Sequence, residues 1–254
     1  MLELTLLLLG YAVWGTLVGL LVGFTAIGTA LIGVPGLIVL FGTPPVLAVG
    51  TIAAAGFIMM LSGALQHYRH GNVVAPIALA FAVTSVPAAY STARFAADID
   101  AVFPLENTLA IVIVISVIVL FHRYVIVRPQ PRVLELPRWK LYLAPVLGLM
   151  LGALMGATSI SGSIIVIAFI MVLKLPSPLA VGTTTAVSMV SLGVATAAHV
   201  SQANVDLPAL AGLIPGMAIG AAVGARNAKR VPRQLLRIAI LVILLIAAAM
   251  IIWQ

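Results

Sequence analysis

The chain has 254 residues, 63% of them hydrophobic and only 7% charged, with a mean hydropathy of +1.26. A soluble domain of this size needs far more charge to cover its surface, so the composition excludes one and points to a lipid environment. The net charge of +7 would suggest nucleic acid in a soluble chain, but here it gathers in a few loops, as membrane orientation signals do, and no nucleic-acid partner is expected.

Ten apolar helical segments are expected in chain order. Segment 4–24 lacks a basic leader and a small-residue cleavage site, so it reads as a retained span and not a signal peptide. Segment 29–41 is short and bracketed by Gly28, Gly33, Pro35, Gly36 and the run Gly42-Thr43-Pro44-Pro45. Segments 46–66, 73–95 and 105–126 follow. A polar linker, 127–140, then carries three prolines, Arg128, Arg132, Arg138 and Lys140, with Trp139 suited to the membrane interface. After it come 141–157, the short 162–174 between Gly156, Gly162, Pro176 and Pro178, and then 178–198, 207–226 and 234–253. The long segments match a hydrocarbon core of about 30 Å. Thirteen helical residues reach only about 20 Å, so each short segment is a half-helix, a re-entrant hairpin or a span across a thin place.

The order of segments repeats. Leu47-Ala48-Val49-Gly50-Thr51 recurs letter for letter as Leu179-Ala180-Val181-Gly182-Thr183, an offset of 132. At the same offset His67 falls on His199, Asn72 on Asn204, Pro76 on Pro208 and Arg94 on Arg226. The fold expected is therefore an all-α polytopic membrane protein of two homologous repeats, 1–126 and 141–254, each of about five apolar segments.

Charge orients them. If all ten segments cross, one side collects Arg69, Arg123, Arg128, Arg132, Arg138, Lys140, Lys174, Arg226, Lys229, Arg230, Arg233 and Arg237, leaving only Arg94 opposite. That side is the cytoplasmic one and holds the linker, and the expected location is the cell (inner) membrane. Five crossings per repeat is odd, so the second repeat runs inverted, an architecture recurrent in secondary transporters. Four crossings with re-entrant short segments would give parallel repeats, but the basic loops then fall less cleanly on one side.

Glycines at every fourth position, Gly15/Gly19/Gly23, Gly148/Gly152/Gly156 and Gly212/Gly216/Gly220/Gly224, predict faces on which helix backbones approach closely. They specify packing and not substrate.

The chemistry has few candidates. Cysteine is absent, which removes disulfides and thiol chemistry, and no spacing suits a metal, so no metal or cofactor is expected. The six carboxylates, Glu3, Asp98, Asp100, Glu106, Glu135 and Asp206, all sit in loops or at segment ends, which disfavours an acidic cation relay. No catalytic constellation is present, and an enzyme is not expected. The breaks are instead rich in hydroxyls and glycines: Thr25, Gly28 and Thr29 in the first repeat, Ser159, Ser161, Gly162 and Ser163 in the second. Gly50, Thr51, Gly182, Thr183 and Thr184 stand at the repeated pentapeptides. Helices beginning in such stretches aim unpaired N–H groups and a positive dipole end at the bend, which with neutral donors makes an anion site. Taken singly, each hydroxyl has the blander reading of a bond back to its own helix. His67 and His199 close matching segments and suit gates at opposite faces, or plain polar caps.

Two halves, each with a Gly-rich break, then proline, then Ala-Val-Gly-Thr, resemble the sulfite exporter TauE/SafE family, also called the 4-toluene sulfonate uptake permease family. The resemblance rests most on Gly33-Val-Pro35, on Pro44–Thr51 with His67–Val73, and on Leu179–Thr183 with Asn204-Val205. It implies a permease for sulfite, sulfonates or related organosulfur anions. Its partners would be that small anion, a coupling proton or ion, and the lipid bilayer, with a homodimer left open. The family's run of glycines is here Gly28-Thr29-Ala30 and Ser161-Gly162-Ser163, so the wall of the site differs. A passive anion channel and a non-transporting membrane scaffold are the alternatives.

Overall fold

A computed structural model of the protein describes residues 2–25, 28–121, 134–227, 238, 241–246, 248 and 249. Arg123, Arg128, Arg132, Lys229, Arg230, Arg233, Arg237, the first half of the linker and more than half of segment 234–253 lie outside them, as do the side chains of Thr25 and Ser163. The described residues form ten helices and no strand: α1 (Leu2–Thr25), α2 (Ala30–Phe41), α3 (Pro45–Arg69), α4 (Ala75–Arg94), α5 (Ala96–Val102), α6 (Leu105–Phe121), α7 (Arg138–Thr158), α8 (Gly162–Met171), α9 (Ser177–Ser201) and α10 (Leu207–Asn227). Six of them, α1, α3, α4, α7, α9 and α10, are long and apolar enough to cross a membrane. The pair α5 and α6, bent by 90° at their junction, adds a seventh if it counts as one span.

Proline sets several starts, since its missing N–H costs nothing in the first turn: Pro45 opens α3, Pro76 α4 and Pro178 α9. The short segments behave as expected in length. Twelve residues of α2 and ten of α8 reach about 18 and 15 Å, half a crossing each. Both end the same way. Gly42 at φ 63 closes α2 with Thr43 N–H donating to Leu37 O, and Lys174 at φ 51 follows α8 with Leu175 N–H donating to Phe169 O. The helix of segment 162–174 thus ends at Met171, three residues short of the expected bound, and Lys174 takes the left-handed turn that Gly42 takes after α2.

One helix was not expected. Residues 96–102, read from sequence as a loop bearing Asp98 and Asp100, form α5, and Asp100 Oδ1 accepts the Leu105 N–H at 2.7 Å where α6 begins. Seven residues, about two turns, are too few to produce a periodic signal.

The glycine faces find their partners. A Cβ on Gly15, Gly19 or Gly23 would strike the backbone of Leu213, Met217 or Ala221, so residue numbers rise together and α1 runs parallel to α10. Gly148, Gly152 and Gly156 meet Phe81, Ser85 and Ala89 in the same manner, so α7 runs parallel to α4. Lipid is as apolar as leucine, and contact of this kind, not water exclusion, is what holds spans together. α3 and α9 differ. Gly50 lies against His199 and Gly63 against Thr185, so these two helices cross antiparallel. The half-helices fill the flanks: Leu31, Val34 and Leu37 of α2 pack with Val18 and Met217, while Ile165 and Phe169 of α8 pack with Met155 and Phe81.

Candidate functional site

The antiparallel pair α3 and α9 is locked at both ends by the repeated pentapeptide. At one end the Asn204 carbonyl presses on the bare Cα of Gly50, and Thr51 Oγ1 accepts the Asp206 N–H at 2.9 Å. At the other the Asn72 carbonyl presses on Gly182, and Thr183 Oγ1 accepts the Val74 N–H at 2.9 Å. The two loops are built alike. Asn72 N–H donates to His67 O and Asn204 N–H to His199 O, both at 2.9 Å, with Gly71 at φ 69 and Ala203 at φ 57 turning the chain.

Between these locks the two breaks meet. Gly28, at φ 97, places its Cα so that a side chain would lie 3.4 Å from the Gly162 nitrogen. Thr29 precedes α2 and Ser161 precedes α8, and neither side chain caps its helix. The first intrahelical bonds are Gly33 N–H to Thr29 O and Ile165 N–H to Ser161 O. The N–H groups of Ala30, Leu31 and Ile32, and of Gly162, Ser163 and Ile164, are therefore the orphan donors of two helix starts. Thr29 and Ser161 are buried, and Thr29 Oγ1 lies opposite Gly56, the middle of α3. Ser159, at φ 59, donates its hydroxyl to Val49 O at 2.8 Å, which ties the second break to α3. Val49 and Gly56 are about 10 Å apart along the helix at 1.5 Å per residue.

Charge is absent from this region. α2, α8 and α9 carry no Asp, Glu, Lys or Arg, and α3 has only Arg69 in its last turn. Two helix starts facing one another give a locally positive field in a medium of low dielectric, with roughly half a unit charge at each. Hydroxyls can add donors. Thr184 and Ser188 on α9 are buried and their oxygens have no hydrogen-bond partner. Such an arrangement can hold a small anion without a buried cation.

Of the residues singled out in the sequence, Gly28, Thr29, Ser161 and Gly162 come together at the meeting of the breaks. Ser159 lies beside them, while Thr51 and Thr183 sit at opposite ends of the α3/α9 pair, each bonded to a loop. His67 and His199 close α3 and α9, hence at opposite ends. His199 is fully buried with Nε2 3.2 Å from Gly156 O, and since a carbonyl only accepts, the proton is on Nε2. His67 is half-buried. Gly56 and the carbonyls of Asn72 and Asn204 went unremarked, although an offset of 132 from Ser188 would have pointed to Gly56. Cavities of about 460 Å³ beside Phe103, Asn107 and Ile111, and about 180 Å³ beside Trp14, Pro35 and Gly36, lie away from the breaks.

A profile of the sulfite exporter TauE/SafE family matches residues 11–251, nearly the whole chain. The chain belongs to that family. It is similar to "Probable membrane transporter protein YjnA" of Bacillus subtilis (strain 168), 30% identical over 250 residues covering 90% of this chain and 94% of the relative. "Probable membrane transporter protein YdhB" of the same organism is also 30% identical, over 226 residues covering 88% and 91%. No solved structure matches. This TauE/SafE protein is thus a multi-pass membrane transporter and not an enzyme, and the uncharged meeting of α2 and α8 lies inside it.

Proposed function

We propose that this protein is a secondary permease that carries a small oxyanion, a sulfur oxyanion or organosulfonate such as sulfite, by alternating access between two inverted halves. The halves are residues 1–126 and 141–254, joined by the basic linker 127–140 on the cytoplasmic side. The antiparallel crossing of α3 and α9, which match in sequence, supports the inversion.

The observation that carries the reading is the meeting of two half-helix starts at Gly28 and Gly162 with no formal charge around them. The anion sits there, held by the orphan N–H groups of α2 and α8 and by Thr29 and Ser161, with Ser159, Ser163, Thr184 and Thr25 around it. Gly50, Thr51, Gly182 and Thr183 keep α3 and α9 in register beneath it, and His67 and His199 mark the two entrances.

Flux of sulfite, sulfate and ethanesulfonate into proteoliposomes, with and without a pH gradient, is the test. A carrier gives saturable uptake that a trapped anion on the far side accelerates. Linear uptake without such acceleration would make it a channel, and no flux of any of the three would sink the oxyanion reading.

A further inference from the structure

The two half-helix starts do not face equal walls. Gly56 of α3 looks at the start of α2, since a Cβ there would lie 3.0 Å from Thr29 Oγ1. Ile52, one turn earlier, packs against Gly33 of α2. This wall offers no polar group. At the offset of 132, Thr29 corresponds to Ser161, Gly56 to Ser188 and Ile52 to Thr184. α9 packs on α8 as α3 packs on α2, so Thr184 and Ser188 stand where the wall of the first half has a methyl-bearing chain and nothing at all. Their residues are 2% and 0% exposed, and neither hydroxyl oxygen has a partner. The nearest hydroxyls on the same helix are engaged, Thr183 with Val74, Thr185 with Val181 O at 2.9 Å and Ser191 with Ser85 at 3.0 Å, whereas Thr196 Oγ1, two turns beyond Ser188, is also buried without a partner.

A buried hydroxyl left without a partner destabilises the protein that contains it. An alanine and a valine would fill the same space without that penalty. Two such groups, one helical turn apart on the helix that packs against α8 and at the repeat positions of Ile52 and Gly56, which face α2, mark a place completed by something bound.

We propose that Thr184 and Ser188 are a donor pair for the transported anion, so that, beyond Thr29 and Ser161 at the helix starts, the hydroxyls of its wall come from α9 and none from α3. This rests on the anion site proposed above and makes that site asymmetric. The anion's oxygens face α9, and whatever else it carries faces Ile52 and Gly56. The residues that set affinity then lie in the second half, although both halves contribute a helix start.

The test uses the full chain in detergent, titrated calorimetrically with sulfite and with ethanesulfonate. Ser188→Ala and Thr184→Val each weaken binding of the anion that wild type accepts by tenfold or more, the size expected for a hydrogen bond to a charged ligand. Both also raise the melting temperature of the ligand-free protein, whereas loss of a hydroxyl bonded within the protein lowers it by stranding its partner. Thr184→Ser restores binding. Ser191→Ala, which breaks the Ser85 bond, lowers the melting temperature and leaves binding within about twofold. If Ser188→Ala and Thr184→Val bind like wild type while Thr29→Ala with Ser161→Ala does not, the donor pair is wrong and the helix-start site stands. If either single variant melts lower without ligand, its hydroxyl is structural and the pair is overturned. If wild type binds neither anion, or the Thr29/Ser161 variant also binds normally, the site falls and the pair with it.

Discussion

Thr51 Oγ1 accepts the Asp206 N–H at 2.9 Å and donates its own proton to Leu47 O at 2.7 Å, so both capacities of this hydroxyl are already engaged within the protein. Its counterpart Thr183 receives the Val74 N–H in a fully buried bond. From sequence, alanine at either position would be expected to leave stability nearly unchanged. With the loops seated on them, the expectation changes. Thr183→Ala strands a buried N–H and costs about 1–3 kcal/mol, while Thr51→Ala costs less because Asp206 is only partly buried. Thr51→Ser and Thr183→Ser keep the acceptor and recover most of the loss. Unfolding of the four variants in mild detergent, followed by circular dichroism, checks the order.

Bulk at the pentapeptide glycines is more severe. Any Cβ at Gly50 or Gly182 overlaps the Asn204 or Asn72 carbonyl, which is backbone and cannot swing aside. Gly50→Ala and Gly182→Ala separate the α3/α9 pair and abolish folded protein. Gly63→Ala serves as the contrast, since its Cβ would touch only the Thr185 methyl at 3.4 Å, and it folds normally. Size-exclusion profiles of the three distinguish them, and a monodisperse Gly50→Ala protein would show the carbonyl contact to be dispensable.

No carboxylate lies within the uncharged region, so none is expected to be indispensable for transport. Glu3 and Glu106 are in first turns, Asp98 and Asp100 are on α5, Glu135 precedes α7, and Asp206 precedes α10. Asp100 and Asp206 do structural duty through one oxygen each, accepting Leu105 N–H and Ala209 N–H. Asn keeps that oxygen. Single replacements of all six by Asn or Gln retain substantial flux in proteoliposomes, and loss of pH-gradient dependence in any one of them would locate a proton relay.

Cysteine is absent, which makes single-cysteine labelling unambiguous. The ends of α3, α8 and α10 that carry Arg69, Lys174 and Arg226 are expected in the cytoplasm, and the end of α4 that carries Arg94 outside. Cysteine at His70, Lys174 or Arg226 is labelled by an impermeant maleimide only in inverted vesicles. Cysteine at Arg94 or Ser201 is labelled in whole cells. Labelling of His70 and Arg94 positions from the same side would end the inverted arrangement.

Much of the fold was readable because membrane spans announce themselves by length, and glycine repeats by their spacing of four. Gly15, Gly19 and Gly23 declared a packing face in one dimension. They could not name α10 as the partner, because periodicity gives an orientation about one axis and nothing about the helix opposite. α5 stayed hidden for the reason that α8 was overdrawn: both turn on a few residues where local backbone geometry outweighs hydropathy. The clustering of Thr29 and Ser161 was visible as composition. The engagement of Thr51 and Thr183 by loops 155 and 109 residues away was not, since a side-chain bond of that range leaves no pattern in sequence.

The pairing of α1 with α10 also governs how the molecule is made. Roughly 200 residues separate Gly15 from Leu213, and a ribosome adding about 5–20 residues each second takes about 10–40 s to span them. For that interval α1 stands in the bilayer with its glycine groove facing lipid or some interim companion. Its permanent neighbour is among the last segments to emerge. Neither half can finish assembling before the other is synthesised, so truncation anywhere before α10 leaves the first helix without its mate. Quality control that recognises an open glycine face would read such a chain as incomplete.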